Sequence, residues 1–287
     1  MVHLSGYVLL NGTRLWQRAV YHYQKRKQPG WLFYTILSMT LQKTALTFLL
    51  VPILLQFPLQ GETAEVPASI TPNPRMLTYP WMSLSTWYEM HAEDVALATE
   101  GKAPLVFIGD SITQGWNGAG QSHWEKHFAP LGAVNFGIGG DTTQNLLWRL
   151  KYGATENLDP KAVMLLIGTN NFPFTEDEPE TIAAGVIAVV DAITESYPNA
   201  DILLMGVFPR SENPDHPLRA GIKRINGIIS QLADRDPVTY LEITNELLES
   251  DGTLSKDVMP DFLHLSDEGY RRWTEAILPW ITNRVDR

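Results

Sequence analysis

Short, wholly apolar runs that each end in glycine or a polar residue, and alternate with stretches of helical spacing, constrain this 287-residue chain more than any other feature. Pro104-Leu-Val-Phe-Ile108 runs into Gly109-Asp110-Ser111, and Ala162-Val-Met-Leu-Leu-Ile-Gly-Thr-Asn-Asn171 and Ile202-Leu-Leu-Met-Gly-Val-Phe208 have the same character. Such runs read as strands of a parallel sheet buried on both faces. Between them Leu146, Leu147 and Leu150, and then Ile182, Val186, Val189 and Ile193, recur at helical spacing. The pattern predicts helix 87–100, strand 104–108, strand 133–136, helix 141–152, strand 162–167, helix 180–197, strand 202–208, helix 218–234, strand 238–243 and helix 266–282. That order is a three-layer α/β/α sandwich around a central parallel sheet of about five strands.

Open parallel sheets bind ligands beyond the carboxyl ends of their strands, so residues just past three strands are expected to converge. They are Ser111, Gly140 in Val134-Asn-Phe-Gly-Ile-Gly-Gly-Asp141, and Asn170. A serine hydroxyl is a weak nucleophile without an oriented base, and the base needs a third group to hold its tautomer. Asp261-Phe-Leu-His264 supplies both on one loop. Glycine lets backbone approach a ligand, and an amide side chain donates well to a developing oxyanion. In the glycine turn, Asp141 is expected to cap the following helix and Gly153 to end it.

Four blocks centred on Ser111, Gly140, Asn170 and His264 appear in this order, and together they resemble the SGNH (GDSL-like) hydrolases. The spellings Asn135-Phe-Gly-Ile-Gly-Gly-Asp-Thr-Thr143, Leu147-Trp-Arg-Leu150, Gly168-Thr-Asn-Asn171 and Asp261-Phe-Leu-His-Leu265 are similar to the catalytic subunits of intracellular platelet-activating-factor acetylhydrolase. The resemblance implies a flavodoxin-like SGNH fold and a serine esterase. It implies Ser111 as nucleophile, His264 as base, Asp261 as its orienter, and the Ser111 and Gly140 N–H groups with the Asn170 side chain as oxyanion hole. No cofactor is expected. Ile112 and Leu263 flank nucleophile and base, and with Phe172 are expected to line a short, acetyl-sized acyl pocket. The substrate is expected to be a small-molecule or glycan ester, with an extracytoplasmic carbohydrate acetylesterase as the alternative and a silent binding domain as the other rival. The resemblance allows a homodimer without requiring one.

Charge divides the chain. Residues 1–61 contain no acid and six basic residues, Arg14, Arg18, Lys25, Arg26, Lys27 and Lys43, while the rest holds the remaining 16 basic residues against all 32 acids, a formal −16. A basic leader followed by the uncharged stretch Thr44 to Gly61 is a translocation pattern. Its apolar core, Ala45 to Leu59, contains Pro52 and Pro58 and falls short of the roughly 20 residues of a spanning helix. Residues 1–64 are therefore expected to be a signal peptide, with a membrane anchor as the alternative, and the protein to be periplasmic or secreted. Met39-Thr-Leu-Gln-Lys43 followed by that core makes a compact signal by itself, which motivates Met39 as the translated start. Residues 65–80, rich in proline, are expected to be a linker, and 81–287 the hydrolase domain.

The same composition excludes several classes. An acidic mature region repels nucleic acid and anionic lipid headgroups, so membrane contact is expected only through the leader. Zero cysteines exclude disulfides and a thiol nucleophile. His123-Trp-Glu-Lys-His127 lacks a third ligand and the H-E-x-x-H order, so no metal is expected. Gly137-Ile-Gly-Gly140 lacks the third glycine of a dinucleotide loop, and Thr113 replaces the last glycine of a G-x-S-x-G elbow. Arg149, Arg210 and Arg219 are expected to pair with acids at the surface. Trp116, Trp148 and Phe174 are expected in the core before a substrate wall.

Overall fold

Successive side chains of a strand point to opposite faces, and here both faces are covered. The computed structural model describes residues 68–285; the leader 1–64, the Met39 start and residues 65–67 lie outside the described residues. Strands β1 (Leu105–Gly109), β2 (Ala133–Gly137), β3 (Ala162–Leu166), β4 (Asp201–Met205) and β5 (Val238–Leu241) form one sheet in the order β2-β1-β3-β4-β5. Every adjacent pair is parallel. Helices α1 (Leu84–Glu100), α2 (Ser111–Gln114), α3 (Gln121–His127), α4 (Thr143–Arg149), α5 (Asn171–Thr175), α6 (Pro179–Ser196), α7 (Pro217–Ile229), α8 (Thr244–Leu247) and α9 (Asp267–Val285) complete the order. Among the described residues no helix is long and apolar enough to cross a membrane.

Strand alternation sorts the core into two layers. Val106, Ile108, Val163, Leu165, Ile202 and Leu204 pack with Leu146, Val186, Val189, Ile193 and Ile225 from α4, α6 and α7. Leu105, Phe107, Met164, Leu203 and Met205 pack with Ile112, Trp116, Leu247, Trp273 and Ile277 on the other side. The expected α/β/α sandwich is therefore the observed one.

Several boundaries moved for identifiable reasons. Helix α4 stops at Arg149 and passes into a π-type turn, Leu150–Ala154, in which Gly153 adopts φ 109°. Its N-cap is Thr142 and not Asp141: the Thr142 side chain accepts from the Asn145 N–H and the Asn145 side chain accepts in return, a reciprocal cap that frees Asp141 to turn inward. Helix α7 ends at Ile229 and continues as a 3-10 turn, Ser230–Asp234. Strand β4 ends before Val207, whose N–H and carbonyl are taken by the Asn226 side chain at 2.8 and 3.0 Å.

The proline-rich stretch from residue 68 is a strap held on the domain. Ser69 is fully buried; its hydroxyl donates to Asp177 (2.9 Å) and its carbonyl accepts from Thr143 (2.9 Å). Asn73 donates its N–H to the Gln144 carbonyl at 3.1 Å. Arg75 is 3% exposed. The described part of the expected linker opens with a 3-10 turn, Ala68–Ile70, and its polar groups bind it to α4 and to the Asp177 turn.

Candidate active site

Because β1 lies between β2 and β3, the three turns that follow these strands open side by side. Ser111 begins α2 directly after the N-cap Asp110, whose carboxylate caps the helix by accepting the Ile112 N–H at 3.0 Å. Asp110 is buried, and desolvation pushes its carboxyl up to about 7. The Tyr270 hydroxyl donates to the Ile112 carbonyl (2.6 Å) and Asn135 donates to the Thr113 carbonyl (3.0 Å), so α9 and β2 both hold the turn that presents Ser111. As the first helical residue, Ser111 has a backbone N–H without an intrahelical acceptor.

His264 reaches Ser111 from the loop before α9. Its Nε2 lies 3.0 Å from Ser111 Oγ, and its Nδ1 lies 2.7 Å from Asp261 Oδ2. The other oxygen of Asp261 accepts the backbone N–H groups of Leu263 (3.0 Å) and His264 (2.7 Å). This compact turn requires Phe262 at φ 60°, a left-handed conformation uncommon for residues other than glycine. Burial pushes the Asp261 carboxyl up, but the side-chain and backbone bonds from His264 outweigh it and hold the group below its ordinary value. An ionised carboxylate only accepts, so Nδ1 carries the proton and Nε2 is left to accept the Ser111 hydroxyl.

Gly140 sits at φ 75°, and a Cβ there would meet the Trp81 ring and the Arg75 guanidinium. Asn170 donates one Nδ2 hydrogen to the Asp141 carbonyl at 3.1 Å, which fixes the amide orientation because a carbonyl takes only a donor. The second hydrogen is free for a ligand. A cleft of about 370 Å³ joins these groups, lined by Ser111, His264, Gly140, Asn170, Leu263, Trp81, Met82, Gln114, Gly139 and Phe174.

Two expected pocket residues are elsewhere. Ile112 is 2% exposed and packs in the core with Trp116 and Tyr270, because one residue along a helix from Ser111 turns about 100° away from the cleft. Phe172 is half-buried against α7 near Gly221; Phe174, two residues and about 200° further round α5, lines the cleft instead. Trp116 is a core residue, and Trp148 packs at tilted angles against Trp87 and His91.

The expected surface role of Arg149 is also corrected. It is fully buried, donating to Asp141 (2.7 Å), Asp94 (2.9 Å) and the carbonyls of Gly109 (3.1 Å) and Phe136 (3.0 Å). One guanidinium thus ties the ends of β1 and β2 to the glycine turn. Asp141 also accepts Trp87 Nε1 (2.7 Å) and faces Arg75 (3.4 Å). Burial pushes both acids up, Asp94 to about 7, and Arg149 pulls against it. The signal was present in the chain: Arg149 stands three residues after Leu146, on the apolar face of its helix. Arg210 is half-buried and donates to the Thr169 carbonyl at 3.1 Å, beside Asn170. Arg219 donates to the Gly252 carbonyl. His123 lies 3.2 Å from Asp267.

A parallel sheet of this order, with an oriented serine, histidine and aspartate at its carboxyl edge, is the architecture of an acylhydrolase, and comparison with known proteins assigns the family. Residues 107–272 match the GDSL-like Lipase/Acylhydrolase family, more than half of the chain, and the protein belongs to that family. It is 38% identical over 185 residues to platelet-activating factor acetylhydrolase IB subunit alpha1 of Bos taurus, spanning 64% of this chain and 77% of the relative. It is 38% identical over 189 residues to subunit alpha2 of Rattus norvegicus, spanning 65% and 79%. The fold is shared with a GDSL-like lipase from Bacteroides thetaiotaomicron (TM-score 0.55, 20% identity, 68% of this chain and 97% of that one). It is also shared with an acetylxylan esterase from Geobacillus stearothermophilus (TM-score 0.51, 21% identity, 65% and 95%).

Proposed function

We propose that this hydrolase is a serine esterase that cleaves short-chain, chiefly acetyl, esters through Ser111, His264 and Asp261. The observation that carries the reading is the unbroken chain from Asp261 through His264 to Ser111 Oγ, at 2.7 and 3.0 Å, opening on a cleft that also holds Gly140 and Asn170. His264 Nε2 takes the Ser111 proton as Oγ attacks the ester carbonyl. The carbonyl oxygen becomes an oxyanion facing the Ser111 and Gly140 N–H groups and the free Asn170 hydrogen. His264 then gives its proton to the leaving alcohol, and water repeats the sequence to release the acid. Relatives whose names specify an acetylhydrolase and a cleft of modest volume support the acetyl preference.

Turnover of p-nitrophenyl esters from acetate to octanoate tests this, together with covalent labelling of Ser111 by a fluorophosphonate. Preferred cleavage of acetate, and loss of both turnover and labelling in Ser111→Ala, is the expected result. Wild-type protein that resists the probe and leaves every ester intact would sink the proposal. Acetylated xylo-oligosaccharides and acetylated lipids compared in the same assay decide between the glycan and lipid forms of the substrate.

The leader supports a further element of the reading: we propose that translation starts at Met39 and that residues 39–64 export the hydrolase domain and are cleaved. Mass spectrometry of the native N-terminus tests it, and mature peptides from upstream of Met39 would reject that start.

A further inference from the structure

The cleft has a wall that the four sequence blocks do not supply. Trp81 belongs to the strap, before the family-matched residues 107–272, and its ring lies against the glycine turn. A Cβ on Gly140 would collide with it, and one on Gly139 would stand 3.5 Å from its Cζ3. Met82 closes the same side, with Cε 3.4 Å from that Gly139 position, and Gln114 Oε1 accepts the Gly139 N–H at 2.8 Å. Trp81 remains 55% exposed, so its placement is not a by-product of core packing.

A series of contacts braces the ring. Trp81 stacks on Tyr79 at 5.1 Å and 10°, and Tyr79 stacks on Phe174 at 4.7 Å and 20°. The Arg75 guanidinium stands 5.2 Å from the Tyr79 ring centre and 5.7 Å from that of Trp81, within cation–π range. Arg75 is itself anchored by a hydrogen bond to the Gly139 carbonyl. The strap therefore presents a stiff indole at the oxyanion turn.

Reaction geometry says which part of an ester meets it. The leaving oxygen must lie within hydrogen-bond reach of His264 Nε2 to receive its proton, so the alcohol occupies the His264 and Leu263 side. The carbonyl oxygen faces Gly140 and Asn170. The acyl carbon chain takes the remaining part of the cleft, whose lining beside the glycine turn is Trp81, Met82 and Gln114. We infer that Trp81 is the end wall of the acyl site and sets the length of acyl chain the enzyme accepts. The inference rests on the esterase reading above and replaces Ile112 with a residue from outside the catalytic blocks.

The test compares kcat/KM for p-nitrophenyl acetate, butyrate, hexanoate and octanoate in wild type, Trp81→Ala, Trp81→Phe and Tyr79→Leu. Tyr79 does not line the cleft, so Tyr79→Leu removes the brace without widening the wall directly. One methylene in an apolar pocket is worth roughly 10–200-fold in discrimination. The octanoate-to-acetate ratio should therefore rise at least about tenfold in Trp81→Ala, less in Tyr79→Leu, and least in Trp81→Phe, which restores most of the ring. Wild-type turnover with a ratio unchanged in both Trp81→Ala and Tyr79→Leu overturns the wall and leaves the esterase standing. A wild-type protein inert toward all four esters overturns the esterase reading, and the wall with it.

Discussion

The Asn170 side chain makes one hydrogen bond, from Nδ2 to the Asp141 carbonyl, and the residue lines the cleft. Removing an oxyanion donor costs about 10²–10³ in kcat in enzymes of this chemistry. Asn170→Ala is expected to lose that much kcat while KM changes little, as steady-state kinetics on a short ester would read; full turnover would remove Asn170 from the mechanism. Gly140→Ala tests the neighbouring donor differently. At φ 75° an L-residue pays roughly 1–2 kcal/mol of backbone strain, and its Cβ would push on Trp81 and Arg75. The expected outcome is a lowered Tm together with lost turnover. Both residues were legible because each closes a predicted strand inside a block that resembles the family pattern. Trp81 was not, since an isolated tryptophan after a proline-rich stretch carries no periodicity to say what it faces.

At the scale of elements, the short helix α4 does more than cover the sheet. Arg149 projects from it to the ends of β1 and β2, and its charge is matched by Asp141 and Asp94 inside the fold. Breaking one side of a buried ion pair leaves an uncompensated charge and costs about 3–5 kcal/mol. Arg149→Met should destabilise the protein by that order in urea unfolding, and a midpoint unchanged from wild type would show that the two acids manage without it. The strand runs and the faces of α4 and α6 were read from the sequence because burial on a fixed period leaves a record there. The early end of α4 at the Leu150–Ala154 π turn and the Thr142 cap were not read. Each depends on which of several adjacent polar residues wins a local hydrogen bond, and short sequence patterns do not rank them.

Across the whole molecule, stability should carry a pH signature from His91 in α1. Its ring is 6% exposed between Trp87 and Trp148, with Nε2 on the Tyr152 carbonyl at 3.1 Å. Burial, assisted by the Arg149 charge, pulls it down to about 4 from 6.5. A histidine that is harder to protonate when folded contributes its full stability above pH 6.5 and loses it progressively as pH falls toward 4. At about 1.4 kcal/mol per unit, the loss approaches 3 kcal/mol. His91→Gln retains a donor for Tyr152 and does not titrate, so its stability relative to wild type should improve as pH drops from 7 to 4.5. A difference in urea midpoints that stays constant over this range would refute the assignment. Asp94 and Asp110, both raised to about 7 by desolvation, act in the opposite direction but are common to both proteins and cancel in the comparison.

The sequence by itself determined the α/β/α layering and the family blocks, and it singled out Ser111, Gly140, Asn170, Asp261 and His264 as candidates, because hydrophobic period and reactive side-chain types are local properties of a chain. Only the tertiary structure decided that β1 lies between β2 and β3, that Arg149 is interior, and that a strap from before the catalytic blocks walls the cleft with Trp81. Those facts concern segments far apart in the chain whose packing depends on shape and charge in three dimensions, and no spacing within one segment encodes them.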